Sequence, residues 1–248
     1  MQRTKIITTM IVPRIKIALG KNLIAIAADG SYARNEDTDF SDIELIIFVK
    51  NKKNLPVGFR RVINGILIEG LYLTEQEYYR CTLEPNEYWY ISGSDTLEAI
   101  TNRKFIKKVQ RYSVDNLSTK CFNHAKEVLY EIQESFGKLL NAVRKKNKEN
   151  LFPVLADAVI NLLKLMALIN KTPYKTLSSF ITQAKHFPIK PKGFDEFIQV
   201  IIDGSYTDLD RLERSTIILF AGIEEYFQGN MGKNIYDSEL STIVRKRA

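Results

Sequence analysis

Two apolar runs of strand length, residues 23–28 and 45–49, are separated by a short polar segment, and this arrangement constrains the chain more than any other feature. The first run leads into Asp29-Gly30-Ser31, and the second is opened by Ser41-Asp42-Ile43-Glu44. Successive side chains of a strand point to opposite faces, so Asp42 and Glu44 project to one side while Ile43 and Leu45 face the other. Two carboxylates that close on one strand edge repel each other unless a cation sits between them. Mg²⁺ favours hard oxygen ligands and takes only one or two protein carboxylates beside water and phosphate oxygens. The Gly30-Ser31 turn offers backbone N–H groups and a hydroxyl to a phosphate. Metal and phosphate sites side by side are what a nucleotide-using enzyme requires. Taken singly, an Asp-x-Glu at a strand start is most often a solvated face, and a lone Gly-Ser says less still. The ordered combination carries the reading.

Length and composition set the frame. The chain has 248 residues, enough for two modest domains or one large one. With 45% apolar and 26% charged residues it reads as globular and not disordered. The longest greasy stretch, residues 159–169, is broken by Asn161 and Lys164, so no membrane span is expected. Residues 1–14 lack the pattern of a secretory leader, and Cys81 and Cys121 are too isolated for a disulfide framework. A soluble, cytoplasmic protein is the expectation. The net charge of +7 and pI near 9.2 raise the question of nucleic acid. The basic clusters at 50–53, 103–108, 144–146 and 245–247 are not interleaved with aromatic residues, which speaks against a nucleic-acid partner. Basic character also suits a polyanionic nucleotide.

Along the chain, residues 6–19 read as a helix stopped at Gly20, followed by the strand 23–28. Residues 35–39 are too polar for a core and read as a loop. After the second strand comes a hairpin, residues 59–63 and 66–73, turned at Asn64-Gly65, a strong hairpin signal. Glu69 is a carboxylate within an otherwise apolar strand, where an unpaired charge is costly; facing solvent is the plain alternative. Thr74 and Glu77 have capping-box spacing. Residues 84–94 read as loop and short strand, and 95–112 have no decisive pattern. From about residue 113 strands disappear and helical periodicity takes over, placing a domain boundary between 1–112 and 113–248. The expected helices are 116–146, 151–169 with Pro153 in its first turn, 177–186, 194–202 and 209–227. They form an up-down bundle. On the first of them Phe122, Ala125, Leu129, Ile132, Phe136, Leu139, Leu140 and Val143 make an apolar stripe. The fold class is therefore α+β: a mixed sheet with flanking helices, then an all-α bundle.

The motif Gly30-Ser31-x-x-Arg34, followed by Phe40-Ser41-Asp42-Ile43-Glu44-Leu45, resembles the DNA polymerase β-type nucleotidyltransferase superfamily, and within it the kanamycin nucleotidyltransferase-like family. The likeness continues in Glu134-Ser135-Phe136-Gly137-Lys138, Leu151-Phe152-Pro153, Pro173-Tyr174, Gly193-Phe194-Asp195 and the turn from Ile202-Asp203-Gly204 to Asp208. It implies a polymerase-β-like N-terminal domain and a helical C-terminal domain. It also implies an enzyme that moves a nucleoside monophosphate, usually AMP from ATP, onto a hydroxyl of a small molecule such as an aminoglycoside, with Mg²⁺-dependent release of pyrophosphate.

By the resemblance Asp42 and Glu44 would hold Mg²⁺ and Glu69 would add a third carboxylate. Gly30, Ser31, Arg34 and Lys138 would bind nucleotide phosphate, and Glu134 would be the general base. The family further implies a homodimer with shared clefts, so Glu134 and Lys138 would serve either their own or the partner's site. A plain surface pair is the alternative for these two, since i and i+4 share a helix face. Asp29 departs from the pattern, because an apolar or aromatic residue is commoner before Gly-Ser. Aminoglycosides are polycations, for which Glu84, Glu87 and Asp95 are the available carboxylates. Two further readings compete: nucleotidyl transfer to a protein acceptor, and a catalytically silent nucleotide-binding or oligomerisation module.

Overall fold

A computed structural model describes residues 2–91 and 96–231. Asp95 and the basic cluster 245–247 lie outside the described residues. The chain forms two compact units: Met1–His124 with Lys171–Phe180, and Ala125–Asn170 with Ile181–Ala248.

The first unit is built on a mixed five-stranded sheet. It begins with α1 (Gln2–Lys5), a π-helical stretch Ile6–Ile11 and α2 (Val12–Leu19), ended by Gly20 in a positive-φ conformation. Strand β1 (Leu23–Asp29) leads into the single turn α3 (Gly30–Ala33) and a loop to β2 (Ile43–Val49). β3 (Gly58–Ile63) and β4 (Ile66–Leu73) form the expected hairpin. Then come α4 (Glu75–Tyr78), π-helical Tyr79–Leu83, a 3₁₀ turn Trp89–Ile91, β5 (Glu98–Thr101) and α5 (Arg103–Val109). Thr74 and Glu77 make the reciprocal capping box, each bonding the other's backbone N–H. Residues 95–112, which lack a decisive sequence pattern, thus supply a strand and a helix.

Sheet order is β3-β4-β2-β1-β5, with β2 and β4 parallel and the other pairs antiparallel. Alternation along β1 and β2 sorts their side chains between two cores. Ile26, Ala28, Ile43, Leu45 and Ile47 pack with Ile7, Ile11 and Ile15 of the N-terminal helical run. Ala25, Ala27, Ile46 and Phe48 pack with Tyr78, Ile106 and Val109. Burial on both faces explains why these strands read as nearly continuous apolar runs.

The second unit is helical. It contains α6 (Leu117–Arg144) from Ala125 onward, α7 (Lys148–Asn170), the part of α8 (Phe180–Ala184) beyond Phe180, α9 (Phe194–Ile202) and α10 (Leu209–Met231). Of the stripe on α6, Ala125, Leu129, Ile132, Phe136, Leu139 and Val143 are buried, while Phe122 and Leu140 are half-buried. Phe136 packs its ring 5.8 Å from Phe197 and 6.0 Å from Phe220. α7 begins at Lys148, so Pro153 falls inside the helix and not in its first turn. The side chain of Asn147 accepts from Asn150 N–H at 3.4 Å and starts the helix earlier than Pro153 suggests. α7 is long and apolar enough by composition to cross a membrane, contrary to expectation, but most of it is buried within the protein. The stretch 177–186 is a 3₁₀ turn, Leu177–Ser179, running into the short α8. α10 extends past Gly229 to Met231.

The β3–β4 turn gives a clean test of local backbone chemistry. Asn64 and Gly65 both have positive φ, 51° and 77°, as a type I′ turn demands. A Cβ at Gly65 would meet nothing within 4 Å, so only backbone strain opposes a side chain there. Gly65→Ala should lower unfolding free energy by about 1 kcal/mol, read from urea denaturation midpoints at unchanged m-value.

Candidate active site

Strand register places the acidic residues. Asp29 ends β1 and pairs with Glu44 of β2, and Glu44 pairs in turn with Glu69 of β4. Partners in register project from one face, with Cβ atoms about 5 Å apart. A row of three carboxylates therefore crosses three neighbouring strands. Arg60 of β3, the register partner of Glu69, closes the row with its Nε 2.6 Å from Glu69 Oε1. Asp42 stands two residues before Glu44, just ahead of β2. Asp42, Glu44 and Glu69 are legible in the sequence as acidic candidates, whereas Asp29 stands there only as a departure from the motif. Its signal was parity: Ala25, Ala27 and Asp29 alternate onto one face of β1.

Glu44 feels this crowding most. The residue keeps an exposed side, yet its carboxylate lies against Gly30. Partial desolvation, followed by the charges of Asp29, Asp42 and Glu69, pushes its pKa from 4.5 up to about 7, with Arg34 pulling the other way. Gly30 serves that contact twice: its φ is +67°, and a Cβ there would overlap the Glu44 carboxylate. Asp29 Oδ1 accepts the Gly30 N–H at 2.7 Å and caps α3, so one donor of the Gly-Ser turn is already engaged.

Ser31 and Arg34 line an open cavity of about 660 Å³, together with Asp42, the fully exposed Phe40, Thr176 and Ser178. Arg34 is largely buried, and its Nε donates to Glu36 Oε2 at 2.7 Å, which holds the Glu36 carboxyl below its ordinary range. The loop that ends in Asp42 is tied down from outside the motif. Arg3 donates to Thr38 O at 2.6 Å and to Asp42 O at 3.3 Å, and its Nε lies 3.4 Å from Asp37 Oδ2. Arg3, Thr176 and Ser178 all join the site from distant sequence, with no local signal to mark them.

Glu134 and Lys138 belong to the helical unit and share a face of α6. They form an exposed i, i+4 ion pair, Nζ to Oε1 2.7 Å. Each shifts the other, with the Glu134 carboxyl held below and the Lys138 ammonium above its ordinary range. Glu84, one of the carboxylates considered for a polycation, pairs with Lys120 at 3.0 Å.

Residues 103–233 match the model of the KNTase C-terminal domain, the C-terminal domain of kanamycin nucleotidyltransferase. The chain belongs to that family. A putative protein adenylyltransferase of Methanocaldococcus jannaschii is 32% identical over 59 residues, which is 24% of this chain. The match takes in 40% of that relative's length. Among solved structures, a nucleotidyltransferase-like protein from Exiguobacterium sibiricum superposes with a TM-score of 0.54 at 14% identity, over 88% of this chain and 74% of the other. That likeness concerns the fold.

The family and the acidic row both raise the question of a divalent cation. Among the described residues, no group of three or more His, Cys, Asp or Glu side chains is gathered closely enough to hold a metal ion. The donor chemistry nevertheless fits Mg²⁺, which takes one or two carboxylates and fills its shell with water and phosphate. Asp42 and Glu44 meet that need, and the raised proton affinity of Glu44 marks a place short of positive charge. Glu69 is less free, since Arg60 already holds one of its oxygens.

The pKa of Glu44 fixes a sign. The folded chain keeps this proton up to about pH 7, whereas the unfolded chain loses it near 4.5. Between those values the native state binds more protons, so in chelator the contribution of Glu44 to stability should fall as pH rises and level off above about 7. The melting-temperature difference between wild type and Glu44→Gln, followed across that range, should carry this slope; a flat difference would contradict it.

Proposed function

We propose that this chain is a nucleotidyltransferase that moves a nucleoside monophosphate, AMP from ATP, onto a hydroxyl of a small acceptor and releases pyrophosphate. One observation carries the reading: Asp29, Glu44 and Glu69 stand in register across three strands, beside a Gly30-Ser31 turn that opens onto a cavity. Structural proteins avoid like charges directly opposite each other in a sheet. Such a row persists where a cation or a developing charge repays it.

In this reading Asp42 and Glu44 would hold Mg²⁺, and Glu69, now paired with Arg60, would be the third carboxylate. The bound cation supplies Lewis-acid neutralisation of phosphate charge. Ser31 and Arg34 orient the triphosphate, Arg34 by exchanging Glu36 for a phosphate oxygen. The acceptor oxygen bonds to the α-phosphorus while the bond from that phosphorus to the β-bridging oxygen breaks, and pyrophosphate leaves. Glu134 takes the acceptor's proton. Its pairing with Lys138 keeps it ionised, and transfer of Lys138 to a phosphate would return basicity to the carboxylate. The shared clefts of a homodimer would let Glu134 act in its own or its partner's site.

The acceptor has two candidate classes. A small hydroxyl compound, an aminoglycoside among them, is favoured by the likeness to the KNTase C-terminal domain. A protein hydroxyl is favoured by the name of the Methanocaldococcus relative, a putative protein adenylyltransferase.

Pyrophosphate release from ATP and Mg²⁺, assayed across aminoglycosides, other hydroxyl compounds and candidate proteins, tests the proposal. Asp42→Asn and Glu44→Gln should each lower turnover by about 10²-fold or more, the scale of a lost electrostatic group. Glu134→Gln should lower turnover while ATP affinity stays. Metal-dependent turnover that survives in both Asp42→Asn and Glu44→Gln would refute the assignment. ATP binding with no turnover on any acceptor would point instead to a silent nucleotide-binding module.

A further inference from the structure

Basic residues far apart in sequence gather at the end of the sheet where β1 begins. At that end Lys50 N–H donates to Asn22 O at 2.9 Å, and Asn22 Nδ2 donates to Asn51 O at 2.9 Å. These bonds seat the cluster 50–53 beside Lys21. Asn102, the N-cap of α5, donates from Nδ2 to Ile24 O at 2.9 Å, which brings residues 103–111 to the same end. The two clusters converge on α4, where Lys52 pairs with Glu77 at 3.3 Å and Lys108 with Glu75 at 2.6 Å.

We infer that this basic end docks a nucleic-acid duplex through its phosphates, without reading bases. The inference stands apart from nucleotidyl transfer. Asp29 and Glu44 lie where β1 ends, and the seven residues of that strand put about 20 Å between the two regions.

Unanswered charge is the first argument. Lys21, Lys50, Lys53, Lys104, Lys107 and Arg111 are exposed, and among the described residues none of them has a carboxylate partner. Like charges held this close repel one another, and a polyanion relieves the repulsion. Lys104, Lys107, Lys108 and Arg111 follow the spacing of one helical face. With Asn102 and Phe105 they line an open cavity of about 540 Å³.

Surface chemistry is the second. Neither α5 nor residues 50–53 carry an exposed large apolar side chain. An acidic peptide would find no apolar anchor there, and a membrane no side chain to insert. Phe105 packs its ring 5.1 Å from Phe48 and belongs to the core, so it offers no platform for an unpaired base. Single strands are held by stacking on aromatic rings, whereas a duplex backbone needs only cations. The scarcity of aromatic residues between the cations therefore argues against stacked partners and not against a duplex.

Fluorescence anisotropy of labelled duplexes of two unrelated sequences, titrated with the full chain over a range of salt, tests the inference. Wild type should bind both alike, and more weakly as salt rises. Each phosphate contact contributes about 0.9 to the slope of log affinity against log salt. Lys104→Gln, Lys107→Gln and Arg111→Gln combined should lower that slope by about 2–3 and weaken binding about tenfold or more at low salt. Lys145→Gln, Lys146→Gln and Lys148→Gln combined, an equal loss of exposed charge in the helical unit, should change neither. Equal losses in the two triple variants, or a wild type that binds no duplex, would overturn the inference. So would tighter binding of single strands, of a polyglutamate peptide or of phosphatidylserine vesicles, each of which would name a different partner.

Discussion

Everything at the candidate site depends on one register, that of β1, β2 and β4. The pairing of Asp29 with Glu44 and of Glu44 with Glu69 turns three carboxylates scattered in sequence into one row. A slip of one residue in either pairing would send part of the row to the opposite, apolar face. The price of holding it shows in Glu44, whose affinity for a proton rises until a proton or a cation relieves it. The rest of the first unit can be understood as the structure that keeps this arrangement from relaxing.

That resistance comes from cores on both sides of the sheet. Because β2 buries Ile43, Leu45 and Ile47 on one face and Ile46 and Phe48 on the other, it cannot shift without exposing one set. Burying such a side chain is worth about 1.5–3 kcal/mol. Several together outweigh the repulsion among partly solvated carboxylates, which is softened by Arg60 at one end of the row. Arg3 extends the same logic to the loop before β2. By grasping the carbonyls of Thr38 and Asp42 it holds the backbone of Asp42, not its carboxylate, and so leaves the acid group unspent.

Legibility in the sequence followed the range of the interaction. The Asn64-Gly65 turn and the Thr74–Glu77 capping box are local, and both stand where their residues indicate. Parity along one strand placed Asp42 and Glu44 together, and the apolar stripe of α6 is buried at six of its eight positions. Asp29 is the contrasting case. Its face could be read from Ala25 and Ala27, but its neighbours depend on the pairing of three strands, which no window of sequence contains. Thr176 and Ser178 are further removed, since their place at the cavity depends on a backbone bond from Tyr174 to Tyr90. β5 and α5 were illegible for a different reason: at four and seven residues they are too short for periodicity to speak.

Two of the cations assigned to phosphate are already paired, Arg34 with Glu36 and Lys138 with Glu134. Pairing of this kind does not compete strongly with a nucleotide. The Lys138–Glu134 pair is exposed and worth about 0–1 kcal/mol, and in the other pair Glu36 is exposed although Arg34 is not; a bidentate or charge-assisted phosphate contact is stronger than an exposed pair. The carboxylate partner acts as a stand-in anion that keeps each cation oriented and its local charge balanced. Exchange then favours ligands that bring more than one negative charge, because a single carboxylate from solution gains nothing over the one in place. For Glu134 the exchange has a second consequence. Were Lys138 to turn to a phosphate, the carboxylate would lose the neighbour that holds its pKa down, and its basicity would rise. Substrate binding and activation of the base would then be a single electrostatic event.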